Sequence, residues 1–249
     1  MKLLCSDYDG TIRFNDGIKD NDVEAINRFI EQGNAFCVVS GRSLRSLLLE
    51  LPQYNISCPY LVGNNGGIII DKDENIIKRH LLDFDEALEI IEKLKDENVI
   101  NFYVDDGIDS GYYYEEEYDQ PFSSFKKTSY TNIIKNNIVC AIKVKHNNHQ
   151  EAVEFANKIN PTLKSAIAIT NKNYNDIVAK GIGKEIAVGE LRDILNIDQV
   201  YTIGDELNDL LMIKEFNGST IVSGNEKVKE VSNMIFDDIS GYIDYISKK

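Results

Sequence analysis

The sequence predicts an α/β fold, a doubly wound parallel sheet carrying an inserted α+β module, and three observations predict it. About the first eighty residues alternate strand-like and helix-like segments; the rhythm changes near Leu82; it returns after Ile177 and Val178. Strand, helix, strand, helix, strand is the pattern of parallel strands joined by crossovers. Residues 1–81 and 180–249 are then expected to share one Rossmann-like sheet, with residues 82–179 as the insert.

Each element has its own signal. Lys2 to Ser6 is an apolar run that stops at an Asp-x-Asp-Gly turn, which reads as a buried strand. Asp20 or Asn21 is placed to cap a helix whose Val23, Ile26 and Ile30 share a face, and Gly33 stands where that helix would end. Ala35 to Val39 reads as a second buried strand ending at Ser40-Gly41-Arg42. A further apolar helix pattern ends near Pro52, and Tyr60 to Val62 offers a third strand. In the insert, Ala87, Ile90, Ile91 and Leu94 fall on one helix face. Tyrosine-rich strand candidates follow, then a helix near Glu151 to Lys158. The closing part predicts a helix from Lys184 to Leu195, a buried strand Gln199 to Ile203 and a turn at Gly204-Asp205.

Composition narrows the function. The 249 residues suffice for one large domain or two small ones. Lys plus Arg number 27 against 41 Asp plus Glu, and a net charge of −14 repels nucleic acid and anionic membrane surfaces. An anionic substrate on so acidic a chain needs a local positive site, either a metal ion or a few placed Lys and Arg side chains. The N-terminus lacks an apolar stretch long enough for a signal peptide, and no window approaches the roughly 18 apolar residues of a membrane span. The expectation is a cytoplasmic protein with no nucleic-acid or membrane partner, and no obligate protein partner is implied. Cys5, Cys37, Cys58 and Cys140 show no C-x-x-C pairing and suggest neither a zinc site nor a disulfide framework. Cys5 and Cys37 lie in apolar runs and are expected in the core. His80, His146 and His149 are expected at the surface.

In an open parallel sheet, ligands bind outside the carboxyl ends of the strands, where loops converge and helix N-termini point inward. Four polar clusters fall at such places: Asp7 to Thr11, Ser40-Gly41-Arg42, Lys184 at a helix start, and Gly204 to Asp209. Asp7 ends an apolar strand and Asp9 lies two residues on, so a turn at Gly10 can direct both carboxylates into one pocket. One can attack phosphorus to form an acyl phosphate while the other shuttles the proton. Taken alone, Asp-x-Asp-Gly is more often a plain turn. Asp205 and Asp209 could join Asp7 around a hard cation such as Mg²⁺, or merely complement a helix dipole. Ser40 would donate to a phosphate oxygen, helped by the amides of the following helix start, and Lys184 would supply a point charge. Singly, a Ser before a helix is usually an N-cap and a Lys is usually solvated.

With these four clusters in this order, the chain resembles the haloacid dehalogenase superfamily of phosphatases, in particular its Cof-type branch with a large C2-type cap. The first motif of that family matches Asp7 to Thr11, which implies Asp7 as nucleophile and Asp9 as acid/base, with Gly10 and Thr11 in support. The second falls on Ser40, with Gly41 and Arg42 following as they commonly do. The third is placed at Lys184 rather than Lys180, because of the Lys-Gly-x-x-Lys arrangement before the helix. The fourth matches Gly204, Asp205, Asn208 and Asp209, and Asn65-Gly66 after the third strand also looks like this branch. The resemblance implies Mg²⁺ held by Asp7, Asp205 and the backbone carbonyl of Asp9. It implies a phosphate group held by Ser40, Gly41, Lys184 and Asn208, supported by Arg42, Asn65 and Asp209.

The insert would be a cap that closes over the site and excludes water. Between Asp105 and Asp119 it carries seven acidic residues and no basic one, interleaved with Tyr112, Tyr113, Tyr114 and Tyr118. Two readings stay open: a surface selecting polar or cationic substrate groups, and a solvated hairpin whose tyrosines pack on the cap sheet, the latter being preferred. The resemblance implies a small phosphate monoester as substrate, whether a sugar phosphate or a nucleotide or cofactor monophosphate. The alternatives are a phosphomutase on the same core and a catalytically silent binder of a phosphorylated ligand.

Overall fold

The computed structural model describes residues 1–113 and 128–249. Its first sheet has six strands in the order Val200–Ile203, Leu3–Ser6, Ala35–Val39, Tyr60–Gly63, Ile68–Asp71, Ile76–Arg79. The first four pair in parallel. Leu3–Ser6 and Ala35–Val39 are buried along their whole length, as strands covered on both faces must be.

Period-two alternation sends their side chains to two separate cores. Leu4, Phe36 and Val38 pack with Ala25, Ile26 and Phe29 of the helix Asp20–Glu31 and with Ile239, Ile243 and Ile246 of the C-terminal helix. Leu3, Cys5, Cys37 and Val39 pack on the opposite face with Ala187, Val188 and Leu191 of the helix Lys184–Leu195. The doubly wound arrangement is thus present, with one departure. Ile68–Asp71 and Ile76–Arg79 extend the sheet antiparallel rather than parallel. After Gly63 the chain reverses within three residues, through Asn64 and Asn65 at φ of 52° and 53° and Gly66 at φ 103°, which leaves no length for a crossover helix.

The first helix differs from expectation at its start. Lys19 occupies the N-cap and makes no side-chain capping bond, while Asp20 and Asp22 sit in the first turn, where they favour the helix dipole. Asp22 is buried there and accepts from the Ser240 amide at 3.0 Å, which ties this helix to the C-terminal one.

The second sheet has the order Thr128–Ser129, Ser110–Tyr112, Asn101–Asp105, Ala141–Lys145, Tyr174–Ala179, Ala166–Asn171. The helices Phe84–Lys95 and His149–Ile159 cover one face, where Ile90, Ile91, Leu94 and Phe155 meet Phe102, Val104, Ile142, Val144 and Ile177. Directly opposed residues share a face, so the row Tyr112, Tyr103, Lys143, Asp176 runs across the other one.

Two surface expectations need correction. His146 is buried at 2 % exposure, its ring 5.0 Å from that of Phe155, and burial lowers its pKa; it directly follows the strand Ala141–Lys145 and packs against the following helix. His80 is half-buried, with Nε2 2.9 Å from Glu190 Oε2, leaving His149 as the exposed histidine. All four cysteines are free, buried thiols, and burial pushes Cys58 and Cys140 up to about 12. Of the tyrosine-rich acidic stretch, Tyr114, Tyr118 and the acidic residues 115–119 lie outside the described residues. Tyr113 stacks on Phe102 with centroids 4.6 Å apart, as a packing tyrosine should. Tyr112 instead faces a cleft described below. Among the described residues, no helix is long and apolar enough to cross a membrane.

Candidate active site

The site forms where the strands Leu3–Ser6, Ala35–Val39 and Val200–Ile203 end. Asp7 follows the first of these directly, and its N–H donates to Ile203 O at 2.9 Å. Tyr8 O then accepts from the amides of Ile12 and Arg13, turning the chain back over the strand end. The turn needs glycine at position 10. Its φ is +97°, and a Cβ there would lie 2.3 Å from Asp205 Oδ2. Thr11 Oγ1 donates to Asp205 Oδ1 at 3.1 Å, so the first loop holds the carboxylate of the last one.

Lys184 opens its helix and is 1 % exposed. Its Nζ donates to Asp7 Oδ1 at 2.5 Å and to Asp209 Oδ1 at 2.6 Å. The lysine therefore reaches the strand ends from the face of the sheet its helix covers. Another close approach permits this, since a Cβ on Gly66 would sit 2.3 Å from Gly183 O. Asp209 is held at its other oxygen as well, by the amides of Asp205 and Glu206, both at 3.1 Å.

Asp7, Asp205 and Asp209 can each present an oxygen within 4.8 Å of the others. The electrostatics follow from that crowding. Burial first, then repulsion from Asp209, drives the Asp7 carboxyl well above its usual range, against the pull of Lys184. Burial and then Asp209 raise Asp205 to about 6. Burial works against the charge of Lys184, but Asp209 and Asp7 outweigh it and hold its pKa above the ordinary lysine value.

Asp9 stands apart from this cluster. Arg42 grips it through Nε to Oδ2 at 2.6 Å and Nη2 to Oδ1 at 2.5 Å. The same guanidinium donates to Glu50, which also accepts from Arg13 Nε at 2.8 Å, and lies over the Tyr8 ring with its carbon 5.0 Å from the centroid. With both of its carboxylate oxygens engaged by Arg42, Asp9 has its backbone carbonyl left to offer a cation.

Ser40 is buried, and its Oγ accepts from the Arg42 amide at 3.1 Å. The helix expected to follow it at once begins at Leu44, with Ser43 as N-cap, so the amides beside Ser40 belong to the Gly41-Arg42 loop. That loop is fastened to the asparagine turn: Asn65 N donates to Ser40 O at 3.0 Å and Asn64 N to Arg42 O at 2.9 Å. Asn208 Nδ2 donates to Asn65 Oδ1 at 3.2 Å. All four sequence clusters thus meet at one end of the sheet.

A cleft of about 510 Å³ opens between these loops and the polar row of the second sheet. Asp7, Asp9, Ser40, Gly41, Arg42 and Asn208 line it from one side, and Tyr103, Tyr112, Lys143, Tyr174 and Asp176 from the other. Arg13, Arg42, Lys143 and Lys172 on its walls supply the local positive charge that the acidic chain requires for an anionic ligand. The sequence reading missed the second wall. Lys143 lies between Ile142 and Val144, the pattern of a solvent-facing residue on a half-buried strand, and Asp176 follows another polar residue, Asn175; only the register of the ladder reveals the two as a cross-strand pair.

The haloacid dehalogenase-like hydrolase family matches residues 4–240. The chain belongs to that family. It is one of its Cof-type phosphatases, a phosphoric monoester hydrolase. Two similar proteins of Bacillus subtilis are called 5-amino-6-(5-phospho-D-ribitylamino)uracil phosphatase. YcsE is 27 % identical, over 95 % of this chain and 90 % of its own. YitU is 22 % identical, over 93 % and 90 %. The fold of this phosphatase superposes on that of a haloacid dehalogenase-like hydrolase from Bacteroides thetaiotaomicron with a TM-score of 0.82, at 20 % identity and over 98 % and 99 % of the two chains.

Proposed function

We propose that this phosphatase is Mg²⁺-dependent and hydrolyses small phosphorylated metabolites through an aspartyl phosphate on Asp7. The observation that carries the reading is the buried contact of Lys184 with both Asp7 and Asp209, beside Asp205. A buried, hydrogen-bonded carboxylate at a cleft wall is held for attack. The surrounding carboxylates make the pocket hostile to a phosphate until a cation is added.

The donor set fits magnesium, a hard ion that takes oxygen ligands and keeps several waters. Both oxygens of Asp209 are already engaged, so Asp7, Asp205 and the Asp9 carbonyl are the groups that would hold it. Bound there, magnesium offsets the charge of the carboxylates and of the substrate phosphate.

The residues of the chain then divide the work. Ser40 Oγ, the Gly41 loop, Asn208 and Lys184 hold the phosphate oxygens. An oxygen of Asp7 attacks phosphorus as the bond to the ester oxygen breaks, and Asp9 gives that oxygen its proton. Asp9 next takes a proton from water, which attacks the acyl phosphate and frees phosphate and Asp7. Because Arg42 occupies both oxygens of Asp9, the fork must loosen during this cycle. Residues 82–179 act as a cap whose polar row closes the cleft and keeps water out until the acyl phosphate has formed.

The related enzymes of Bacillus subtilis are named for a phosphorylated ribityl chain attached to a pyrimidine. A polyol phosphate bearing a planar ring is accordingly the first substrate to try, and three cleft tyrosines offer the ring a surface. The test is phosphate release from a panel of metabolite monophosphates, with Mg²⁺ and with chelator, for the wild type and Asp7→Asn. Metal-dependent release that vanishes in Asp7→Asn is expected. Full activity of Asp7→Asn would sink the mechanism, and isomerised product without free phosphate would make the protein a mutase.

A further inference from the structure

We propose that Asp176 and Lys143 together read a hydroxyl group on the substrate's leaving group, so that polyol phosphates, rather than plain alkyl or aryl phosphates, are the preferred class. The inference rests on the phosphatase reading above and deepens it.

The two residues are direct cross-strand partners on the cleft face of the second sheet, 3 % and 5 % exposed. Opposite charges so placed would ordinarily close into an ion pair. These form only a loose ion pair: Lys143 Nζ and Asp176 Oδ1 stay 4.0 Å apart, beyond hydrogen-bonding distance. Each is pulled away by an anchor from the first sheet. The ammonium donates to Gly41 O, and Asn65 Nδ2 donates to Asp176 Oδ2 at 2.6 Å. Asn65 is itself fixed, by its left-handed backbone and by Asn208.

What remains is one carboxylate oxygen that makes no hydrogen bond among the described residues, facing an ammonium with donors to spare. An oxygen placed about 2.8 Å from both atoms spans the gap, accepting from Lys143 and donating to Asp176. Only a group that both accepts and donates satisfies the pair, and a hydroxyl does so. A second anion is repelled by Asp176, and a cation by Lys143. Because Lys143 rests on the carbonyl of Gly41, next to Ser40, the hydroxyl would lie close to the phosphate, on the leaving group. A leaving group without one makes no bridge between the buried ammonium and the spare carboxylate oxygen, and a lost polar contact of this kind is what lets a polar site reject an apolar analogue.

The experiment compares kcat/KM for ribitol 5-phosphate and pentyl phosphate, in Mg²⁺, for the full chain as wild type, Asp176→Asn and Lys143→Met. The wild type should prefer the polyol ester by about 100-fold or more. Each substitution should cut that preference by at least about tenfold, mostly through the polyol ester. A wild-type preference below about threefold overturns the proposal without any variant having to fold, and so does a preference that both variants retain. Equal release from the two esters removes the role of the pair and leaves the phosphatase standing. No release from these or any other monoester removes the phosphatase reading itself, and this inference with it.

Discussion

Arg42 holds Asp9 by a two-pronged fork, Nε and Nη2 to the two carboxylate oxygens at 2.6 Å and 2.5 Å. The guanidinium is in turn steadied by Glu50 and by the face of Tyr8. A planar fork fixes the direction of a carboxylate in a way that a lysine ammonium does not. Arg42→Lys should therefore keep the charge, lose the alignment of Asp9, and lower kcat by about tenfold to a hundredfold with a smaller change in KM. Steady-state kinetics across pH check this. An unchanged kcat would show that the orientation of Asp9 is irrelevant to the slow step.

Lys184→Met tests the other end of the site. The methionine fills the space of a fully buried side chain but leaves Asp7 and Asp209 facing each other with no ammonium between them. Breaking a buried pair by removing one partner typically costs about 3–5 kcal/mol. Urea unfolding in chelator should show a loss of that order, and phosphate release should fall to background. If stability were unaltered, the two carboxylates would have to be protonated already, and the ion-pair description would be wrong.

How legible all this was in the sequence differs from residue to residue. The four polar clusters that meet at the strand ends were readable because each is a short, ordered motif at the end of an apolar run or the start of a helix: Asp7 and Asp9 around a glycine turn, Ser40, Lys184, Asp205 with Asp209. The antiparallel extension was hidden because it depends on Asn64 and Asn65 adopting left-handed φ, which asparagine tolerates but does not announce. The second wall of the cleft was hidden for a different reason. Lys143 between two apolar residues and Asp176 beside Asn175 are ordinary polar positions until two strands distant in sequence are brought into register. His146 misled because it sits among Asn and Lys residues in sequence while its ring packs on Phe155.

Asp205 predicts a pH dependence whose sign can be worked out. Burial and Asp209 raise its carboxyl from 3.8 to about 6 in the folded protein. Between those values the unfolded chain has already released the proton and the folded one retains it, so this group's contribution to stability falls as pH rises from about 4 to about 6 and stays lost above. In chelator at pH 7.5, Asp205→Asn should accordingly be more stable than the wild type, by on the order of 2 kcal/mol. Adding Mg²⁺ should raise the Tm of the wild type and leave that of the variant nearly unmoved. Thermal melts of both proteins at pH 4.5 and 7.5, with and without metal, decide it. A variant less stable than the wild type in chelator would mean that Asp205 is paired in the fold rather than strained.

Gly10 and Gly66 separate metal binding from folding. A Cβ on Gly10, at φ +97°, would meet the carboxylate of Asp205 at 2.3 Å, and that side chain can swing aside. A Cβ on Gly66, at φ +103°, would meet the backbone carbonyl of Gly183 at the same distance, and a helix start cannot. Gly10→Ala should therefore fold with a loss of roughly 1–2 kcal/mol from its backbone conformation but bind Mg²⁺ at least about tenfold more weakly, because the displaced Asp205 is a proposed ligand. Gly66→Ala should lose more stability, on the order of 3 kcal/mol, since Lys184 must retreat with its helix. Calorimetric Mg²⁺ titration and denaturant midpoints of the two variants test the split. Equal losses of stability with unchanged metal affinity in Gly10→Ala would show that the turn at residue 10 supports the fold and not the cation site.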